Sequence, residues 1–222
     1  MSHMEYAAVS TSLLIRKWDA DQAEFVLRKA ADKEALRALR QGGHVTIRPE
    51  TFALYGVAPY ETWQRDNVNN VLQAGWVALL GGIAGTSITN KFSATNGRIG
   101  VGTSSTAVAY TQTYLQGDTG GSSTTSYYQL VSSAPAIATG SSPPTLTLTS
   151  AFGTGVANFA WNEFGSDNYT TSGVTTQSLG GSYIFFNRGV PAGGMGTKAS
   201  GQTWTATETI SFGYPSGSGT VS

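Results

Sequence analysis

The chain of 222 residues contains no cysteine, only two histidines and only 12% charged side chains. The lack of cysteine excludes disulfides, thiol nucleophiles and thiolate metal sites, and His3 and His44 cannot build a zinc centre by themselves. No apolar run reaches the roughly 18 to 20 residues of a membrane helix, and no basic-then-apolar signal-peptide pattern opens the chain. We therefore expect no bound metal, no membrane partner and no secretion signal.

The charges that are present concentrate in the first third of the chain. Residues 1–70 hold nine acidic and nine basic side chains, whereas the remaining residues hold only four of each. Glycine has the opposite distribution, with three before residue 70 and 25 after it. Nucleic-acid binding requires a surplus of Lys and Arg, and neither part of the chain has one. We therefore expect no nucleic-acid ligand, and we expect the chain to change character near residue 70.

The first 60 residues are predicted to form a helical and extended N-terminal arm. Strong helix formers fill residues 22–40, Asp19 or Asp21 precedes them as a cap, and Gly42-Gly43 follows as a stop. This helix has only a narrow stripe of mostly small apolar residues, so we expect it to lean on a partner chain or a neighbouring copy. Residues 44–48 alternate like a short strand before the extended part of the arm.

Residues 61–222 are predicted to form a β-sandwich domain that opens with one helix at about residues 61–80. The helix is indicated by Val68, Leu72, Trp76 and Leu80, which recur at a spacing of four and would pack on the β-domain. Beyond residue 85, apolar runs are separated by Gly, Ser and Asn turns without a helical stretch, which favours antiparallel pairing.

The predicted fold is therefore mainly β: an antiparallel β-sandwich or barrel with an N-terminal helical or extended arm and one helix packed on the sheet. The clearest strand patterns lie at residues 145–149, 182–186 and 203–212, and long loops are expected at residues 117–126 and 134–144.

Residues for catalysis are scarce. The histidines lie within the first 44 residues, where no Ser-His-Asp set can be argued, and the glycine-rich run 97–102 lacks the Lys-Ser/Thr of a phosphate loop. Glu163 and Asp167 can be read as a paired acid and base, but surface or hydrogen-bonded roles are favoured. Glu208 lies on the apolar face of the last strand, so we expect an ion pair with Arg98, or alternatively with Arg188. We expect no catalytic residue and no cofactor.

Three sequence blocks resemble virion proteins of long-tailed bacteriophages. The first is NGRIGVGTSSTA at residues 96–107, followed by TYLQ at residues 113–116. The second is FGTGVANFAWNEFG at residues 152–165, and the third combines Asn187-Arg188 with GTKASGQTW at residues 196–204. The blocks occur in the family's order and span roughly residues 70–212. The resemblance implies a non-catalytic structural component of the virion, of the capsid decoration or head-associated type.

That resemblance leads to an expected role as a capsid decoration (cement) protein that binds the major capsid protein on the outer surface of the virion. Such a protein is made in the cytoplasm of the bacterial host, and we expect it to self-associate, with a trimer as the first hypothesis. The arm would bind the coat subunits. Its candidate interface anchors are the aromatic residues Phe52, Tyr55, Tyr60 and Trp63.

Two alternatives stay open at this stage. A tail or baseplate component would share the fold but occur in few copies per particle. A carbohydrate-binding host-attachment module would use aromatic side chains such as Tyr127, Tyr128 and Tyr183, with the loops at residues 117–126 and 134–144.

Overall fold

A computed structural model describes residues 8–66, 69–85, 92–93, 95–118, 124–140, 143–169, 172–173 and 184–213. Its strands in chain order are β1 (Ala8–Trp18), β2 (Glu61–Asp66), β3 (Asn69–Val71), β4 (Arg98–Gly102), β5 (Ser126–Leu130), β6 (Ala136–Ala138), β7 (Thr145–Phe152), β8 (Glu163–Asp167), β9 (Phe185–Gly189) and β10 (Thr203–Gly213). Its helices are α1 (Ala20–Lys29), α2 (Lys33–Arg40), α3 (Pro49–Leu54) and α4 (Gln73–Ile83).

The strands form two antiparallel five-stranded sheets that pack face to face. Sheet A has the order β2-β1-β10-β7-β6, and sheet B has the order β3-β9-β8-β4-β5. The core between them includes Trp161, whose ring meets Phe152 and Trp204 edge to face at centroid distances of 4.8 Å each. The predicted antiparallel, mainly β fold is confirmed.

The strand patterns at residues 145–149 and 203–212 are confirmed as β7 and β10. Thr147 and Thr149 lie directly opposite Thr209 and Thr207, and the hydroxyl oxygens of Thr149 and Thr207 are 3.2 Å apart. Cross-strand threonine pairs stabilise a sheet without using charge, which suits a part of the chain with so few charged residues. Of the predicted strand at residues 182–186, residues 182 and 183 lie outside the described residues and Phe185 begins β9.

Residues 8–18, which the sequence assigned to an arm, form β1 and are an inner strand of sheet A. β1 pairs with β10 along its whole length and with β2 on its other side. Leu13 and Ile15 are fully buried in the core between the sheets. Leu13 and Ile15 are buried because alternate side chains of a strand lie on the same face, and this face of β1 packs against the opposite sheet.

Residues 20–60, which we call the helical lobe, pack around the end of β1. The predicted helix at residues 22–40 is two helices, since Ala31 adopts a positive φ of 55° between α1 and α2. Asp19 caps α1 by accepting a hydrogen bond from the backbone N–H of Gln22. The lobe has a small core of its own, in which Phe52 stacks on Trp18 at 4.5 Å.

The predicted strand at residues 44–48 is wrong, because this segment is an extended connection that joins the lobe to the sandwich. The backbone N–H of Thr154 donates to the carbonyl oxygen of Val45, and the N–H of Val45 donates to the hydroxyl oxygen of Thr154. The same hydroxyl group donates to the carbonyl oxygen of Gly43 at 3.0 Å.

The predicted helix at residues 61–80 is wrong in its first half, where the chain forms β2 and β3. Pairing of β2 with β1 prevails over the local helical period. The second half is α4, which packs against β9 as a helix on the sheet, and the N–H of Leu72 donates to the carbonyl oxygen of Phe186. Gly75 permits this approach, because a Cβ there would collide with that same carbonyl.

Candidate functional site

The buried charged side chains of sheet B form two separate ion pairs. Arg98 donates to both carboxylate oxygens of Asp167, at 2.8 and 2.6 Å, and its guanidinium lies 4.6 Å from the ring centroid of Tyr128 and 4.8 Å from that of Tyr169. Both charged groups are almost fully buried, and β4 and β8 place them opposite each other in the sheet. A bidentate pair between aromatic rings fixes the relative position of these strands.

The second ion pair holds the irregular segment 103–118 against the sheet. Arg188 donates to Glu163 at 2.6 Å and also binds the carbonyl oxygen of Thr106 and the side-chain oxygen of Gln112. Glu163 in turn accepts hydrogen bonds from the backbone N–H groups of Gln116 and Gly117. One buried pair thus replaces the backbone ladder that this segment lacks.

Glu163 and Asp167 do not form the acid–base pair that the sequence allowed as an interpretation. Four residues along a strand span about 13 Å, which is more than the separation of paired carboxylates in hydrolases. Each carboxylate is bound by its own arginine instead. The geometry therefore matches the favoured interpretation, in which both residues have hydrogen-bonded roles.

Glu208 and Arg98, predicted to pair with each other, are given different partners. Arg98 lies on β4 of sheet B and binds Asp167, whereas Glu208 lies on β10 of sheet A and accepts a hydrogen bond from Asn187 at 2.6 Å. The contact of Glu208 with Asn187 on β9 links sheet A to sheet B through a buried hydrogen bond. Arg188, the other predicted partner of Glu208, binds Glu163.

Lys198 is a buried amine at the junction of the sandwich and the helical lobe. It donates to the carbonyl oxygens of Gly153 and Val156 and to the side-chain oxygen of Asn158, at 2.7 to 3.0 Å. Burial lowers the pKa of Lys198 to about 7. The pKa of His44 is lowered too, first by its own burial and then by the charge of Lys198. Sequence reasoning gave no sign of this site, because its acceptors come from a turn distant in sequence.

The four predicted interface anchors have different environments. Phe52 is fully buried in the core of the lobe, so its assignment as a partner-facing anchor is wrong. Tyr55 and Trp63 are half-buried against the two cores. Tyr60 is 45% exposed, and its hydroxyl oxygen accepts a hydrogen bond from Gln202.

An open groove lies beside Tyr55 on the helical lobe and encloses about 580 Å³. Its lining residues combine two polar side chains of α1, two aromatic rings and a small-residue loop: Asp21, Gln22, Phe25, Tyr55, Gly56, Val57 and Ala58. Phe25 is 45% exposed, and Leu54, which precedes Tyr55 in the chain, is 75% exposed. We call the groove with Leu54 the lobe surface.

A second apolar surface, which sequence reasoning missed, lies on α4. Val77 and Leu80 are 64% and 61% exposed. The available signal was composition, because α4 carries no charged residue on any side. Sequence reasoning assigned Leu72, Trp76 and Leu80 to packing on the β-domain, which is wrong for the exposed Leu80, and did not consider Val77.

No group of His, Asp or Glu side chains in the described ranges is arranged to hold a metal ion. Within the same part of the chain, no helix has the length and apolarity to cross a membrane. Comparison of the chain with protein-family models, curated proteins and solved structures found no match.

Proposed function

We propose that this chain is a non-catalytic structural protein of a bacteriophage virion, a capsid decoration (cement) protein that binds the major capsid protein through its helical lobe. The observation that carries the proposal is the lobe surface, which combines an open groove that contains the exposed Phe25 with the exposed Leu54, next to Tyr55 in the chain. It lies in the part of the chain where the sequence concentrates its charges in equal numbers of each sign.

The composition of the lobe surface favours a protein partner. Phe25 and Tyr55 give the groove aromatic walls, and Asp21 and Gln22 supply polar groups at the same groove. Protein interfaces combine an apolar, aromatic centre with a polar rim in this way. The groove contains one charged side chain, Asp21, and residues 1–70 as a whole carry nine acidic and nine basic side chains. A region without a surplus of positive charge suits paired contacts with another protein better than binding of a polyanion.

The sequence blocks that resemble phage virion proteins supply the internal frame of the sandwich. Arg98, Glu163, Arg188 and Lys198 all come from these blocks, and all four side chains are buried in polar contacts. Trp161 and Trp204, also from the blocks, meet in the aromatic core. The residues that carry the resemblance thus hold the strands together from inside the sandwich, and this supports a structural role over an enzymatic one.

The two alternative functions have less support. A tail or baseplate protein would share the fold and differ in location and copy number. A carbohydrate-binding module would need exposed aromatic rings to stack on a sugar. Tyr128 is fully buried beside Arg98, and its neighbour Tyr127 is half-buried.

The test is binding of the purified chain to assembled capsid shells that lack it, measured by co-sedimentation. We expect saturable binding, and we expect Phe25→Ala and Leu54→Ala each to weaken it about tenfold or more, the effect of losing an interface hot spot. Ile137→Ala is the matched control, because Ile137 on β6 is 71% exposed and lies outside the lobe.

Wild-type affinity for Ile137→Ala with loss for the lobe variants would support the proposal. Absence of wild-type binding, or equal losses for all three variants, would overturn it.

A further inference from the structure

The groove of the lobe surface contains a carboxylate that has no partner in the described part of the chain. Asp21 is exposed in the first turn of α1, and no described residue forms an ion pair or hydrogen bond with its side chain. Phe25 lies four residues further along and therefore on the same face of the helix, where it is 45% exposed. Glu24, between them, differs because it binds Arg28 and Arg40. The groove thus has one unpaired negative charge beside an aromatic ring.

The loop on the other side of the groove offers hydrogen-bond acceptors, while its donors are already used. The N–H groups of Gly56 and Val57 donate to carbonyl oxygens of α3. The side-chain amide of Gln22 donates to the carbonyl oxygen of Ala58 at 2.8 Å. The carbonyl oxygens of Tyr55 and Gly56 receive no hydrogen bond from the described residues. A ligand that fits this groove must therefore donate hydrogen bonds rather than accept them.

These features together specify a cationic donor. From the unpaired carboxylate, the free carbonyl oxygens and the aromatic rings we infer that the groove binds an arginine side chain of the partner protein, with its guanidinium against Asp21. A groove of about 580 Å³ admits such a side chain together with its neighbours in the partner. The inference rests on the proposed function, in which the partner is the major capsid protein, and it names the chemistry that this partner presents to the groove.

The charges around the groove favour a cation over an anion. Asp19 and Asp21 both lie at the start of α1, where their carboxylates outweigh the partial positive charge of the helix N-terminus. Lys29, one turn beyond Phe25, has its ammonium 5.6 Å from the centroid of the Phe25 ring. That contact shows that a cation can approach this ring, and two carboxylates against one ammonium leave the surroundings negative.

Arginine fits the groove better than lysine does. A guanidinium is planar and carries five N–H donors, so it can bind a carboxylate through two parallel hydrogen bonds while its face stacks on an aromatic ring. A lysine ammonium would neutralise Asp21 but has no planar face to stack. The chain already contains an arginine in this setting, because Arg98 lies between the carboxylate of Asp167 and the rings of Tyr128 and Tyr169.

The test is co-sedimentation of the full-length chain with capsid shells that lack it. We expect Asp21→Asn to weaken binding about tenfold or more, because the guanidinium loses its charged partner. Asp21→Glu should keep most of the affinity, and Asp66→Asn, which removes an exposed carboxylate on β2, should bind like the wild type. Wild-type affinity for Asp21→Asn would overturn the inference and leave the proposed function standing, whereas absence of wild-type binding would overturn both.

Competition separates a guanidinium from cations in general. In the same assay, L-argininamide and L-lysinamide are added at equal concentration and equal ionic strength. We expect argininamide to release the wild-type chain at a several-fold lower concentration than lysinamide, and we expect no such difference for Asp21→Asn. Equal release of the wild-type chain by the two amides would show charge screening alone and would overturn the assignment to arginine.

Discussion

Burial of the Lys198 ammonium group destabilises the folded chain when that group is charged. Its ammonium group is almost completely buried and is surrounded by backbone and amide oxygens that solvate the charge only in part. The pKa of Lys198 in the folded chain, about 7, lies well below the ordinary lysine value of 10.5. The unfolded chain therefore binds more protons than the folded chain between these two pH values.

This difference predicts that the free energy of unfolding rises with pH between about 7 and 10, by an amount on the order of a few kcal/mol. Below the folded pKa, Lys198 is protonated in both states and adds no further pH dependence. Urea denaturation at several pH values measures the slope. Lys198→Met should flatten it, whereas Lys33→Met, at an exposed site on α2, should leave it unchanged. A wild-type slope of zero or of opposite sign would contradict the account.

Above pH 10 the direction of this dependence should reverse. Burial raises the pKa of Tyr60 and of Tyr127, so the unfolded chain loses these protons at a lower pH than the folded chain. The free energy of unfolding should therefore fall as the pH rises through this range.

Glu163 and Arg188 are predicted to matter more for stability than the exposed charges of the lobe. Glu163→Gln leaves the Arg188 charge buried without its carboxylate, which typically costs about 3–5 kcal/mol. The same change should release segment 103–118 to proteolysis, since Glu163 also binds the N–H groups of Gln116 and Gly117. Glu24→Gln, which breaks the solvent-accessible pairs of Glu24 with Arg28 on α1 and Arg40 on α2, is the control and should have a much smaller effect. Equal unfolding midpoints for both variants would refute this role.

At the residue scale, the sequence indicated which side chains are unusual but not which ones meet. A charged residue on an apolar strand face, such as Glu208, can be recognised locally. Its partner, Asn187, lies on the opposite sheet, so this contact depends on how the two sheets pack. The partners of Arg98 and Arg188 depend on strand order, which places β4 and β9 on either side of β8. Phe52 shows the same limit, because its burial depends on Trp18, which is distant in sequence and ends β1.

At the scale of elements, the joint between the helical lobe and the sandwich depends on the turn that begins at Gly153. A Cβ at Gly153 would collide with the carbonyl oxygen of Val45 and lie 2.6 Å from the Thr46 hydroxyl. We predict that Gly153→Ala loosens residues 43–47, seen as faster amide hydrogen exchange there, while the sandwich strands keep their protection. Gly140→Ala, where nothing lies within 4 Å, is the control. Unchanged exchange in Gly153→Ala would show that the joint does not depend on this contact.

The elements that could be predicted are those whose pattern agrees with their pairing. β7 and β10 alternate strictly and pair with each other, so local and tertiary preferences coincide. Residues 61–71 fail this condition. Their spacing favours a helix, but β1 and β9 offer open backbone edges that β2 and β3 pair with. Residues 8–18 were assigned to an arm because nothing in their own sequence shows their partners. They become an inner strand only because β10 and β2 pair with them on either side.

At the scale of the whole molecule, the fold class followed from composition and turn spacing, but the candidate binding surfaces did not. The sequence analysis placed the interface on the N-terminal arm and its anchors at Phe52, Tyr55, Tyr60 and Trp63. The groove beside Phe25 and the apolar surface of α4 arise from packing, which determines which side of each helix stays uncovered. The molecule is a two-sheet sandwich with a helical lobe packed around the end of β1, and we propose that the lobe binds a partner protein.

We propose that this chain coats the outside of a phage head, and a cryo-electron microscopy map of whole virions would show where it lies. We expect density for the β-sandwich repeated over the capsid lattice, with the lobe surface against the major capsid protein. Density confined to the tail or baseplate, or no density for the chain on the particle, would rule out this role.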